Sequence, residues 1–380
     1  MCLIESSWHV ETRGNRMKKN KILIRMSNWV GDFIMNIPAA ELIRRTYPEA
    51  EIHWIGRPYL RELSIFRSDL YDQYIDFDDK GELRPVNKLI SFAVNLRHQK
   101  YNKAFIFTSH IKGALISWLG RIPVRIGYAK PFFSFLYTDH EIRNSPTAGK
   151  DDFISMYLEL LKKDQIDISQ ARLPKLNKVV GLEQQVTETF IRGKQAPFLL
   201  IHAGAASSSA KRWLPERFAE VADRFHKETG GTSILIGVKS EADINRELIN
   251  AQKYPESTLN LVGRTSLKQA IVLTSTCQYV LSNDSGFMHI AAAYGIPSVA
   301  VFGPTDPALS TYGKARNFSS EVECSPCHLK KCPKAHECMK EIKVDRVWHE
   351  GLLPLIRSEE KTQKKTVFEA NYKESKTGVV

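Results

Sequence analysis

Three short segments of this sequence group residue types that can hold an anion and move a proton. The first is Ser27-Asn28-Trp29-Val30-Gly31-Asp32, which follows the apolar run KILIRM at residues 21–26. A glycine between a strand and a helix lets the backbone come close to a ligand. Asp32 then stands at the start of the helix, at the carboxyl edge of the sheet where α/β folds bind ligands. An aspartate in that place is either a helix cap or a general base aimed into a cleft. The second segment is Ser282-Asn283-Asp284-Ser285-Gly286-Phe287-Met288-His289. Here small residues open a helix whose first amides are free to face a phosphate, Asp284 can reach a hydroxyl, and His289 faces the same end unless it is a core histidine. The third is Ala203 to Trp213, AGAASSSAKRW, a small-residue loop ending in Lys211 and Arg212 that reads as a phosphate loop or as a solvated one.

A fourth group is set apart. Cys324, Cys327, Cys332 and Cys338 lie within fifteen positions, with His328 and His336 among them. Four thiolates at this spacing can ligate a structural zinc tetrahedrally, and buried free thiols are the alternative. No acid or base is placed beside them, so either way the group is structural. Asp76-Phe77-Asp78 spells the Asp-x-Asp of metal-dependent sugar transferases, but the run 76–80 reads more simply as a solvated turn. Neither a dinucleotide-binding Gly-x-Gly-x-x-Gly after the first strand nor a P-loop is present, which argues against a nicotinamide or flavin enzyme and a P-loop enzyme.

These segments need strands and helices to aim them. Strand-like and helix-like stretches alternate, the signature of an α/β fold with parallel sheets. Strands are expected at residues 21–26, 51–55, 103–107, 136–142, 198–202, 233–238, 279–283 and 298–302. Helices are expected from Asp32, from Pro215 as a first-turn proline, at 242–251 capped by Ser240 with Asp243 in a capping box, and at 285–294 stopped by Gly295. Apolar signals fade at 173–195 and then restart, so two similar halves sit in tandem. The division expected is a disordered extension at 1–20, one domain at 21–180, a second at 181–357 that includes the cysteines, and a disordered tail at 358–380. Met17 is an alternative start to Met1, and the first twenty residues do not read as a signal peptide.

At 380 residues the chain suffices for two domains, and no stretch approaches the roughly 20 apolar residues of a spanning helix. The six cysteines, without a secretion signal, suggest a reducing compartment. The net charge is +12. Residues 1–20 contribute +2 and 358–380 contribute +1, and the remaining +9 reads as spread over the body. That pattern suits nucleotide phosphates, phosphorylated lipid headgroups or an anionic membrane surface better than the concentrated stripe of a nucleic-acid binder.

Five segments, in order, make the chain similar to a known family. They are ILIRMSNWVGDFIMNIPA, SHIKGALISWLGRIPVRIGY, HAGAASSSAKRWLPERFAEVA, SNDSGFMHIAAAYGIPSVAVFGPTDP and the CSPC...C...C cluster. From about residue 21 to 356 the chain resembles the glycosyltransferase family 9 heptosyltransferases, most closely those adding the second heptose. The resemblance implies a GT-B fold, two Rossmann-like domains facing across a cleft. It implies inverting, metal-independent transfer of heptose from ADP-heptose to heptose I of a lipid A-Kdo-heptose acceptor, with no cofactor for catalysis. Asp32 becomes the catalytic base. Lys211, Ser207, Asp284, Ser285, Gly286 and His289 go to the donor, and Lys112 and Asn28 to the acceptor. The run Ser207 to Ser209 departs from the family, whose members often carry bulkier residues and a Gly-Pro pair there. The enzyme is then cytoplasmic and touches the inner face of the membrane, where Phe132, Phe133 and Phe135 beside Lys130 and Arg125 can dip into lipid or form a buried strand. Nucleic acid is not expected as a partner. The alternatives are a family 9 enzyme adding heptose I, heptose III or another sugar, and, in another class, a non-catalytic nucleic-acid-binding protein with a zinc module.

Overall fold

The computed structural model describes residues 20–108, 110–142, 152–206 and 208–358. The expected extension and tail therefore fall, apart from Asn20 and Ser358, outside the described residues, as does Ser207.

Two six-stranded, wholly parallel sheets follow one another along the chain. The first consists of β1 (Lys21–Arg25), β2 (Glu51–Gly56), β3 (Gln73–Asp76), β4 (Lys103–Ile106), β5 (Val124–Ala129) and β6 (Asp139–Ile142), in the order β3-β2-β1-β4-β5-β6. The second consists of β7 (Phe198–His202), β8 (Thr232–Leu235), β9 (Thr258–Asn260), β10 (Tyr279–Asn283), β11 (Ser298–Val301) and β12 (Ala315–Phe318), in the order β12-β11-β10-β7-β8-β9. Counted within its own half, each sheet has the doubly wound order 3-2-1-4-5-6. Its switch point, where a crevice opens at the carboxyl ends, lies between the first and fourth strands. The central strands are buried along nearly their whole length because helices cover both faces, hence runs such as KILIR and FLLIH. The strands that the sequence does not announce, β3, β9 and β12, stand at sheet edges and are half-exposed, so they lack an apolar run. β5 is an internal strand that also went unannounced.

The helices match the punctuation residues with two exceptions. Pro215 opens Pro215–Thr229, and Gly295, at φ +71°, ends Gly286–Tyr294. Residues 131–136 are a 3₁₀ turn rather than part of a strand, and Phe132 and Phe135 are exposed. Nor does Ser240 cap the helix Ala242–Ala251. The side chain of Glu241 folds back instead to accept from the Val238 amide at 3.0 Å.

The two halves are not independent bodies. Phe33 and Ile37 of the helix Val30–Thr46 share one buried core with Ile290 and Ala293 of Gly286–Tyr294. These two helices approach closely at their amino ends because each carries a glycine there. A Cβ on Gly31 would lie 2.5 Å from the His289 ring, and a Cβ on Gly286 would lie 2.7 Å from the Val30 Cβ. Any side chain at either position would push the halves apart.

Candidate functional site

The loops after β1 and β7 are fixed from beneath by buried amides. Asn36 accepts from the Ser27 amide at 2.8 Å, and the Ser27 hydroxyl stands 3.2 Å from the Tyr157 hydroxyl, which holds the first loop to the helices Val30–Thr46 and Phe153–Glu159. Asn283, at the end of β10, accepts from the Trp213 amide at 2.9 Å and donates to the Ala203 carbonyl at 2.8 Å. One fully buried side chain thus ties both ends of the Lys211 loop to the neighbouring strand.

Between the two switch points lies a cavity of about 800 Å³. Gly31, Asp32, Arg57 and Tyr59 line it from the first half, and Lys211, Asp284, Ser285, Gly286 and His289 from the second. The structure therefore gathers most of the residues singled out in the sequence around one space large enough for a sugar nucleotide. Two are not gathered. Asn28 is buried beneath the loop, where its amide oxygen accepts from Arg25 at 2.6 Å, and Lys112 donates to the Asp79 carbonyl at 2.5 Å. Neither lines the cavity. Among the first-half wall residues that the sequence did not announce are Arg57 and Tyr59, which follow β2 in a turn with no glycine-rich signal.

Asp32 occupies the first turn of its helix, whose partial positive charge favours a carboxylate there. Burial overrides that preference. It raises the Asp32 carboxyl from 3.8 to about 6, with Lys211 opposing the rise and Asp284 adding to it. A carboxyl poised near 6 is largely ionised at neutral pH and is still basic enough to take a proton. Lys211 is held in place by Asp284, at 2.5 Å, and the same carboxylate oxygen accepts from Thr305 at 2.6 Å. Ser285 makes no capping bond to the helix it precedes; its hydroxyl meets His202 Nδ1 at 3.0 Å instead.

His289 is not the hydrogen-bonded core histidine that the sequence leaves open. It is buried, its Nδ1 has no hydrogen-bond partner among the described residues, and its ring packs on Gly31. Burial pulls its pKa down to about 4, so at neutral pH it is an uncharged wedge between the halves. Glu241 is the main omission of the sequence reading. Its carboxylate is buried in the cavity wall, 3.5 Å from His202 Nε2, in space left by Gly204 and Gly237. Burial would raise its pKa, but the contact with His202 holds it below the usual carboxylate range. Its Oε1 has no partner among the described residues, which leaves it free to accept from a ligand hydroxyl or amine.

The cysteine segment packs over the Lys211 loop. Ser208 Oγ donates to the Lys330 carbonyl at 3.0 Å, and His336 Nε2 meets the Ala210 carbonyl at 2.7 Å. The four thiols are free. They lie near enough for Cys332, Cys324 and Cys327 to add to the rise that burial imposes on the Cys338 thiol. Among the described residues, no three His, Cys, Asp or Glu side chains stand close enough to hold a metal ion. Asp76 and Asp78 lie away from the cavity, paired with Arg61 at 2.9 Å and with the turn amide of Gly81 at 3.0 Å respectively, as befits a solvated turn. No described helix is long and apolar enough to cross a membrane.

Comparison with known proteins agrees with this architecture. The family described as glycosyltransferase family 9 (heptosyltransferase) matches residues 89–337. Lipopolysaccharide heptosyltransferase 2 of Salmonella typhimurium is 27% identical over 293 residues, 76% of this chain and 84% of that protein. Lipooligosaccharide heptosyltransferase 2 of Campylobacter jejuni is 26% identical over 336 residues, 86% of this chain and 96% of that protein. Among solved structures, ADP-heptose lps heptosyltransferase II of E. coli has a TM-score of 0.76 at 25% identity, covering 90% of this chain and 99% of that one.

Proposed function

The chain belongs to glycosyltransferase family 9, the heptosyltransferases, and from that membership we propose that it moves a heptose from ADP-heptose onto the first heptose of a lipopolysaccharide inner core, at the cytoplasmic face of the membrane. Membership displaces the non-catalytic nucleic-acid-binding alternative. The observation that carries the reading is one cavity with a carboxylate near pKa 6 on one wall and a fixed cation beside a helix amino end on the other.

In the proposed reaction the acceptor hydroxyl lies against Asp32, which removes its proton as the oxygen attacks the anomeric carbon. The bond from that carbon to the diphosphate breaks on the opposite face, so configuration inverts and the electron pair leaves with ADP. Lys211 and the amides opening Gly286–Tyr294 are fixed donors where that charge develops. They take the part that a metal plays in other sugar transferases, so turnover should survive a chelator. Glu241 is suited to a hydroxyl or amine of the nucleoside. The small-residue contacts at Gly31 and Gly286 hold base and phosphate site in register.

The test is turnover of ADP-heptose with defined acceptors carrying zero, one or two heptoses. The reading expects the one-heptose acceptor to be used. Preference for the bare acceptor or the two-heptose acceptor would move the chain to addition of heptose I or heptose III.

A further inference from the structure

The excess charge of this protein is not spread over its body, as the sequence reading expects. Residues 83–138 contain nine Lys and Arg and not one Asp or Glu, a net +9 out of +12. Within this stretch, the helix Val86–His98 packs on the helix Ile111–Leu119, which in turn packs on the 3₁₀ turn Pro131–Leu136, so the three elements form one continuous side of the first half. Arg84, Lys88, Arg97, Lys100, Arg121 and Lys130 are all exposed. Of the nine cations, Lys103 alone has a carboxylate within ion-pair distance among the described residues.

The same side displays apolar groups that a solvated face would not. Val86, Ile90 and Val94 recur at helical spacing on the outside of their helix and are 70%, 46% and 44% exposed. Trp118 meets Phe135 edge-on at 6.3 Å between ring centroids, and Phe132 is 87% exposed at the tip of its turn. Large apolar side chains grouped on one surface mark an interaction site rather than ordinary exposure. A second copy of the chain would set eight cations without an ion-pair partner against eight others, which repels. An anionic lipid surface satisfies both components at once, since headgroup phosphates meet the cations while the valine, isoleucine and aromatic side chains enter the acyl boundary.

We propose that this side of the first half, formed by residues 83–136, docks on an anionic bilayer, with Phe132 and Phe135 inserted and the flanking lysines and arginines on lipid phosphates. It deepens the functional reading above by fixing how a lipid-linked acceptor is met. The face is linked to the cavity wall through two contacts. Lys112 donates to the Asp79 carbonyl, Asp79 pairs with Arg57 at 3.1 Å, and Arg57 lines the cavity wall.

The full chain is sedimented with vesicles of phosphatidylcholine alone and of phosphatidylcholine with phosphatidylglycerol, at low and at high salt. The anionic vesicles alone should bind it, and salt should weaken binding because the charges are exposed. Phe132→Ser with Phe135→Ser, and separately Lys88→Glu with Arg97→Glu, should each lower partitioning by at least about tenfold. Calorimetric affinity for ADP should not change, which also shows that the variants fold. Equal binding to neutral vesicles, or full binding by either variant, overturns the proposal. So does preferential binding of a duplex oligonucleotide that both variants lose. Vesicle binding by a protein that cannot turn over ADP-heptose would refute the transferase reading and leave the docking face standing, and turnover without vesicle binding would do the reverse.

Discussion

Replacing Asp32 with Asn separates the charge of this side chain from its shape. In the folded protein, burial raises the carboxyl from 3.8 to about 6. That difference corresponds to about 3 kcal/mol of disfavoured ionisation. Because the folded value lies above the unfolded one, the cost is absent below about pH 4, grows between about pH 4 and pH 6, and is complete at neutral pH. Asparagine does not ionise and escapes it. Asp32→Asn should therefore be more stable than the parent by up to about 3 kcal/mol at pH 7 and no more stable near pH 4. The same change should lower turnover about 10²–10⁴-fold, the usual contribution of a positioned base. Urea unfolding at the two pH values gives the first quantity, and ADP release with a heptose acceptor the second. In the parent, kcat/KM should fall below about pH 6 as the base is protonated. A variant that is less stable at pH 7, or that turns over near the parent rate, would refute the assignment of Asp32 as a base with a raised pKa.

Other predictions concern the opposing wall and the contact between the halves. Lys211→Ala removes a charge-assisted contact and leaves Asp284 without its cation, so ADP affinity measured by calorimetry should fall about ten- to hundredfold; unchanged affinity would place the diphosphate elsewhere. Gly31→Ala sets a methyl 2.5 Å from the His289 ring and should cost about 1–3 kcal/mol in unfolding, whereas adding His289→Ala should recover most of that loss, as a double-mutant cycle would show. Chelation with EDTA should leave turnover intact, and a loss restored by a divalent cation would overturn the proposed charge stabilisation by Lys211 and the helix amides.

How much of this was legible in the sequence depends on where a residue lies. Central strands are buried on both faces and so spell their own apolar runs, which is why β1, β7 and β10 could be read directly with the glycine, serine and aspartate loops that follow them. Edge strands such as β3 and β9 carry no such run. The carboxyl edge of a parallel sheet is where ligands bind, so Asp32, Lys211 and Asp284 were visible as candidates from strand-end chemistry alone. Asn28 shows the limit of that reasoning, since a residue in the right loop can still point beneath it, toward Arg25.

Tertiary structure decided what lies opposite what. Nothing local to Glu241 says that Gly204 and Gly237, on two other strand ends, leave room for its carboxylate in the cavity wall. Nor does either segment alone say that Gly31 and His289, 258 positions apart, interlock. A sequence fixes local backbone preference and burial period, which act over a few residues. The raised pKa of Asp32, the neutrality of His289 and the single basic and apolar face of residues 83–136 depend instead on distances set only when the two sheets and their helices pack.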